Sequence, residues 1–172
     1  MKKISLIGST ILLFLMVSGG VLFNACTKDP CKKIICKNDG ICRDGKCKCK
    51  LGFDGVNCES KMYERYIGVW DGAYRCNGNL SVIITNVVEP GTKANEINIY
   101  NVFNQGISIK AIVSKTTEKE IMEIPSQTVN NITYSGNGDL VGNSVTLFIQ
   151  ELNNSTGELT TCVYNATKFT QN

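Results

Sequence analysis

Apolar and polar positions change rhythm twice along the chain. Residues 4–23 form an uncharged, largely apolar run behind Lys2 and Lys3, and residues 26–61 then show no periodicity. From residue 67 onward, apolar and polar residues alternate with a period of two, broken by Gly, Asn and Pro. That is the pattern of antiparallel strands with one buried face. The alternation predicts eight strands, at 67–76, 80–88, 96–103, 107–114, 119–124, 128–140, 143–152 and 158–169. Turns are expected at 77–79, 90–91, 104–106, 115–118, Pro125, 142–143 and 153–157. Ile107, Ile109, Ala111 and Val113 share one face, as do Val145, Leu147 and Ile149. Most connections are short, so each strand is expected to pair with the next. Eight meandering strands close readily into an up-and-down barrel, which removes both sheet edges. An eight-stranded sandwich meets the same pattern. The expected class is mainly β, divided into an apolar leader (1–25), a tether (26–30), a cysteine-rich module (31–58), a joint (59–66) and a β domain (67–172).

The leader has the composition of a secretory signal, and its apolar run is also long enough to span a bilayer uncleaved. Leu22-Phe23-Asn24-Ala25-Cys26 resembles the lipobox of bacterial lipoproteins, in which a small residue precedes an obligatory cysteine. Ala25 fits. Phe23 and Asn24 depart toward the permissive form found in some Gram-negative groups, and Phe23 sits poorly where ordinary signal cleavage wants a small side chain. Cysteine arithmetic agrees: of nine cysteines, six lie in 31–58, Cys76 and Cys162 lie in the β domain, and Cys26 is left over. The resemblance implies that Cys26 carries lipid, each buried CH₂ contributing about 0.8 kcal/mol. It also implies export, with anchoring to the outer membrane or cell surface of a Gram-negative bacterium.

Residues 31–58 are spaced C-x4-C-x5-C-x4-C-x-C-x8-C. So short a segment cannot bury a core, and disulfides take its place in an oxidising compartment. Spacing alone leaves fifteen pairings open. "NDGIC" (38–42), Cys47-Lys48-Cys49 and "GFDGVNC" (52–58) resemble the matching parts of EGF-like modules. That resemblance implies the bonds Cys31–Cys42, Cys36–Cys47 and Cys49–Cys58. Asp44-Gly45 reads as a two-residue hairpin turn. Some EGF-like modules bind calcium through acidic residues before the first cysteine. Here Thr27-Lys28-Asp29-Pro30 stands there and only four residues separate Cys42 from Cys47, so calcium is not expected. With no histidine and no C-x-x-C pair, neither is any other metal or cofactor.

Gly68-Val69-Trp70 resembles the G-x-W that opens the first strand of lipocalins and related fatty-acid-binding barrels. In those barrels a basic side chain from the last strand covers the tryptophan at the closed end. If Cys76 faces Cys162 across antiparallel first and last strands, Trp70 faces Lys168, a Lys where the family has Arg. The resemblance thus implies a barrel base of Trp70 and Lys168, with an apolar ligand entering at the opposite mouth beside Tyr74. The β domain is short for a lipocalin and carries no later motif of that family. Gly72, Gly136 and Gly138 at lumen-facing positions either open a cavity or permit strand coiling, so a filled barrel stays open.

Formal net charge is +3, but from Cys26 onward 16 basic residues face 15 acidic ones. Residues 26–61 carry nine Lys/Arg against five Asp/Glu, and 62–172 carry seven against ten. A basic module near a membrane suits anionic lipid or polysaccharide, or serves solubility alone. Nothing points to nucleic acid. Histidine acid–base catalysis is excluded, and no G-x-S-x-G or phosphate-binding loop is present. Asp71, Glu96, Glu123 and Glu151 are the carboxylates a glycosidase would need, but their spacing brings no two together. Asn131-Ile132-Thr133 and Asn165-Ala166-Thr167 match glycosylation sequons, which are incidental in a bacterial cell. The expectation is a non-enzymatic, membrane-anchored binding protein. Its β domain binds a small apolar ligand or a partner, through loops such as 88–96, 101–106 and 153–158. Alternatively the barrel is filled and the protein is an adhesion or interaction protein, whose Asn/Thr-rich loops and basic EGF-like module meet a surface protein or glycan. A void inside the barrel decides between them.

Overall fold

The computed structural model describes residues 28–116 and 119–170. Cys26, the leader and the start of the tether lie outside the described residues.

Three disulfides staple the first module: Cys31–Cys42, Cys36–Cys47 and Cys49–Cys58, with Cα atoms 5.8, 5.6 and 5.3 Å apart. Strands β1 (Ile41–Arg43) and β2 (Lys46–Lys48) form a hairpin closed by Asp44-Gly45. Both turn residues have positive φ, 51° and 77°, the geometry whose twist matches antiparallel strands. Cys42 pairs with Cys47 on the inner face, and each bonds outward to a different segment. Ile41, Arg43, Lys46 and Lys48 occupy the other, exposed face.

The joint at 59–66 is ordered structure. β3 (Phe53–Asp54) pairs with β4 (Ser60–Lys61), and a 3-10 turn over Met62–Arg65 delivers Tyr66 into the core of the β domain.

That domain is a closed barrel of β5 (Gly68–Cys76), β6 (Val82–Pro90), β7 (Glu96–Val102), β8 (Ile107–Lys115), β9 (Glu120–Val129), β10 (Ile132–Val141), β11 (Ser144–Asn153) and β12 (Leu159–Lys168). Every strand pairs antiparallel with its sequence neighbours, and β12 returns to β5. At this seam Cys162 stands opposite Cys76 and Lys168 opposite Trp70. The Cys76–Cys162 disulfide ties the first and last strands with Cα atoms 4.0 Å apart.

One expected turn is displaced. β9 runs through Pro125, and the chain reverses at Asn130-Asn131, both left-handed at φ 51° and 64°. Pro125 has no N–H to give a ladder, so an interior strand holds it only at an irregularity. Register slips there: Tyr134 faces Gln127 but Gly136 faces Ile124, leaving Pro125 and Ser126 opposite Ser135. The Gln127 side chain mends the other side. Its Oε1 accepts the Lys110 N–H at 2.8 Å and its Nε2 donates to the Lys110 carbonyl at 2.8 Å, like a peptide group.

The interior is apolar, from Trp70 and Met122 at one end to Ile149 and Phe103 at the other. The lumen-facing glycines do not open space. A Cβ on Gly72, Gly136 or Gly138 would lie 2.2, 2.2 and 2.0 Å from the carbonyl oxygens of Asn165, Phe148 and Thr146. These residues let β5 and β10 coil tightly against their neighbours.

Candidate functional site

Among the places that could meet a ligand are the lumen, the junction between module and barrel, and the rim at the far end. The lumen holds two spaces of about 20 Å³ each. Each has room for a water molecule, whereas pockets for organic ligands run to about 300–1,000 Å³. Side chains fill the rest, and the mouth is stoppered. β7 ends in a bulge at Asn101, between the pairs Tyr100–Ser108 and Val102–Ile107. Asn101, Phe103, Asn104 and Gly106 all have positive φ, which swings Phe103 inward. Buried Asn86 pins the bulge, donating from Nδ2 to the carbonyls of Tyr100 (2.8 Å) and Asn101 (3.0 Å). Phe103 is 7 % exposed and meets the Tyr74 ring edge-on at 4.9 Å, while the Tyr74 hydroxyl donates to the Phe103 carbonyl at 3.2 Å. Tyr74, expected to line an open mouth, therefore helps to shut it. Beside it the Tyr134 hydroxyl donates to Gln105 at 3.3 Å. Burial raises the pKa of Glu151 above the usual carboxylate range. Burial, helped by the Glu151 charge, pushes Tyr134 up to about 12.

At the other end Trp70 donates its indole N–H to the Tyr66 carbonyl at 2.7 Å. Lys168, opposite Trp70 in register, turns its ammonium to the Arg65 carbonyl at 3.0 Å. Both side chains thus fasten the 3-10 turn across the barrel base. Burial lowers the Lys168 pKa, and the nearby Arg65 charge adds to the effect. A cleft of about 200 Å³ separates module from base, lined by Asp54, Met62, Tyr66, Val113, Lys115 and Glu120 among others. Two ion pairs line it: Lys115 pairs with Asp54 at 2.7 Å and Arg65 pairs with Glu120. The Lys115 hydrogen bond holds the Asp54 carboxyl below the usual range. The module also docks through backbone. Met62 N–H donates to the Gly52 carbonyl at 2.9 Å, and a Cβ on Gly52 would stand 3.0 Å from that of Ala94. In the loop 88–96, expected to face a partner, Ala94 and Asn95 are therefore covered by the module, while Glu89, Pro90, Thr92 and Lys93 stay exposed.

The four carboxylates are dispersed. Asp71 lies on the outer wall and accepts from Thr85 Oγ1 at 2.6 Å. Glu96 accepts from the backbone and hydroxyl of Thr92, both at 3.1 Å, and Glu123 stands exposed across Ile112 from it. Glu151 sits at the rim. Among the described residues no group of three His, Cys, Asp or Glu side chains is arranged to hold a metal, and no helix is long and apolar enough to cross a membrane.

The far rim is built from the connections at 77–81, 103–106, 130–131 and 154–158. Its amides and hydroxyls are wired together. Asn77 exchanges two hydrogen bonds with the Thr161 backbone, at 2.9 and 3.1 Å. Asn131 Nδ2 donates to Ser155 Oγ at 2.5 Å, and Asn154 N–H donates to the Asn131 carbonyl at 3.1 Å. Large apolar side chains stand at or beside this frame: Leu80 in the 77–81 connection is 92 % exposed, Ile83 on the outer wall of β6 is 85 % exposed, and Leu159 at the start of β12 is 55 % exposed. Exposed apolar side chains at and beside a hydrogen-bonded rim make it a candidate interaction surface. Sequence reasoning passed over Leu80 and Ile83. The available signal was Val82-Ile83-Ile84, which puts apolar residues on both faces of one strand.

No family model and no curated protein matches the chain. Among solved structures it is similar to a 2.40 Å crystal structure of a protein of unknown function from Bacteroides ovatus, with 10 % identity and a TM-score of 0.41 over 71 % of this chain and 54 % of that one. The chain thus spans about half the length of that structure.

Proposed function

We propose that this chain is a lipid-tethered, non-catalytic interaction protein of the bacterial surface. It carries an EGF-like module and a small, filled, lipocalin-like barrel whose far rim grips a partner macromolecule. One observation carries the reading: among the described residues Phe103 stoppers a barrel whose internal spaces are each about 20 Å³, while Leu80 on the hydrogen-bonded rim and Ile83 beside it on β6 stand almost fully exposed. Of the two binding modes considered, this favours a protein or glycan at the loops over an apolar molecule in the lumen. The apolar leader, Ala25-Cys26 and the leftover cysteine support the tether. Four disulfides support an oxidising compartment. The dispersal of Asp71, Glu96, Glu123 and Glu151 supports the non-catalytic reading. The docked module separates the rim from the tethered end, so the rim faces away from the anchoring membrane.

The test compares residues 26–172 with the Leu80→Asp/Ile83→Asp variant, each immobilised and challenged with cell-surface extracts and glycans. The wild type captures a partner and the double variant, with the same melting temperature, loses it. A double variant that captures the same partner as well as wild type does overturns the assignment. The tether is tested separately, by lipid labelling of Cys26→Ser in cells.

A further inference from the structure

The basic module is not absorbed by a reading that places the partner at the far rim. Residues 28–50 carry eight Lys/Arg against three Asp/Glu, whereas 51–172 carry eight against twelve. Three of those eight cations, Arg43, Lys46 and Lys48, share one built surface. Across the β1–β2 hairpin Ile41 pairs with Lys48 and Arg43 with Lys46, and these four side chains share the exposed face because Cys42 and Cys47 take the other. Ile41, on that same face, is 70 % exposed. Two of the three acidic residues are engaged elsewhere. Asp39 pairs with Lys50 at 3.0 Å, and Asp29 accepts the Cys31 N–H at 2.8 Å. Among the described residues Arg43, Lys46 and Lys48 enter no ion pair.

The path of the chain says what this face meets. Pro30 packs beside the hairpin tip, where a Cβ on Gly45 would lie 3.5 Å from that of Pro30. Cys26 is four residues upstream, a reach of at most about 14 Å for extended chain. A lipid on Cys26 therefore holds the tip close to the bilayer, within about two Debye lengths of its surface charge at physiological salt.

We infer that the outer face of the β1–β2 hairpin is a docking surface for an anionic lipid bilayer. Arg43, Lys46 and Lys48 meet the headgroups, and Ile41 enters the interfacial layer. Cations alone would suit a polyanionic glycan equally. The exposed Ile41 among them fits a surface with an apolar layer beneath the charge. The acidic remainder of the protein, repelled by the same surface, turns the far rim outward. The geometry rests on the tethered reading, but the face itself is tested without the lipid.

Residues 26–172 carrying Cys26→Ser are sedimented with vesicles of phosphatidylglycerol and phosphatidylcholine, and with vesicles of phosphatidylcholine alone. The protein is expected to bind the anionic vesicles only, and less as salt is raised. Replacing Arg43, Lys46 and Lys48 together by Gln weakens binding roughly a hundredfold, at about fivefold per cation. Ile41→Asn also weakens it without altering the salt dependence. A non-reducing peptide map confirms that the variants keep their disulfides. Equal binding to both vesicle types, no binding to the anionic ones, or an unchanged triple variant overturns the inference. So does binding to a soluble anionic polysaccharide in preference to vesicles. Failure here leaves Cys26 lipidation standing, and failure of lipid labelling leaves this face standing.

Discussion

Replacing Phe103 tests whether the mouth of the barrel is stoppered or merely crowded. Its side chain is 7 % exposed and packs edge-on against Tyr74. An aromatic of this kind buries about 150–250 Å², and truncating it to alanine costs about 3–5 kcal/mol. For a domain of this size, that lowers the melting temperature by roughly 20 °C. The backbone adds a second, independent readout. Phe103 sits at φ 50°, a conformation that costs a side-chain-bearing residue about 1–2 kcal/mol. Alanine keeps that penalty. Glycine is free of it and loses about 0.5–1 kcal/mol to unfolded-state entropy. Phe103→Gly should therefore be as stable as Phe103→Ala or more so, by up to about 1 kcal/mol, although it removes one more carbon. Urea unfolding of both variants gives the two differences. The reasoning fails if Phe103→Ala unfolds within about 0.5 kcal/mol of wild type, or if glycine is clearly the less stable of the two.

Two further outcomes follow from the seam and the rim. Cys76–Cys162 closes a loop with a sequence separation of 86, for which chain entropy gives about 4–5 kcal/mol. The Cys76→Ser/Cys162→Ser pair should melt well below wild type under oxidising conditions, and unchanged melting would remove the staple from the account. Glu151 has its pKa raised by burial, so the native state binds the proton more tightly than the unfolded chain does. Its contribution is present at acid pH and is lost as pH rises through the folded pKa. Glu151→Gln should accordingly melt higher than wild type at neutral pH, with the gap closing as pH falls toward 4.5. A gap independent of pH would show that the effect is not titration.

The strands were legible because a half-buried sheet needs alternation, and a closed barrel imposes it on all eight. The seam was legible too. Counting back from Cys76 and Cys162 sets Trp70 against Lys168, and no bulge falls between the two pairs. Pro125 misled because a proline marks either a turn or a strand irregularity, and its own residues do not distinguish them. The decision lies in Ser135 across the ladder and in Gln127 reaching Lys110. The lumen was not legible at all. Gly72, Gly136 and Gly138 read equally as cavity or coiling until the neighbouring carbonyls are placed. Phe103 is a rim residue by position and becomes a stopper only through the bulge at Asn101. Ala94 and Asn95 looked as free as 153–158, because sequence does not show which end of a barrel a preceding module covers.

The filled lumen is the claim on which the choice of partner turns, and the protein carries its own probe for it. Trp70 is the single tryptophan. It is 3 % exposed and lines one of the two small internal spaces. Titration of residues 26–172 with long-chain fatty acids, followed by Trp70 fluorescence, reads occupancy of the lumen directly. The account predicts no saturable change in intensity or emission maximum. Saturable, one-to-one quenching or shift of Trp70 emission by such a ligand would contradict it.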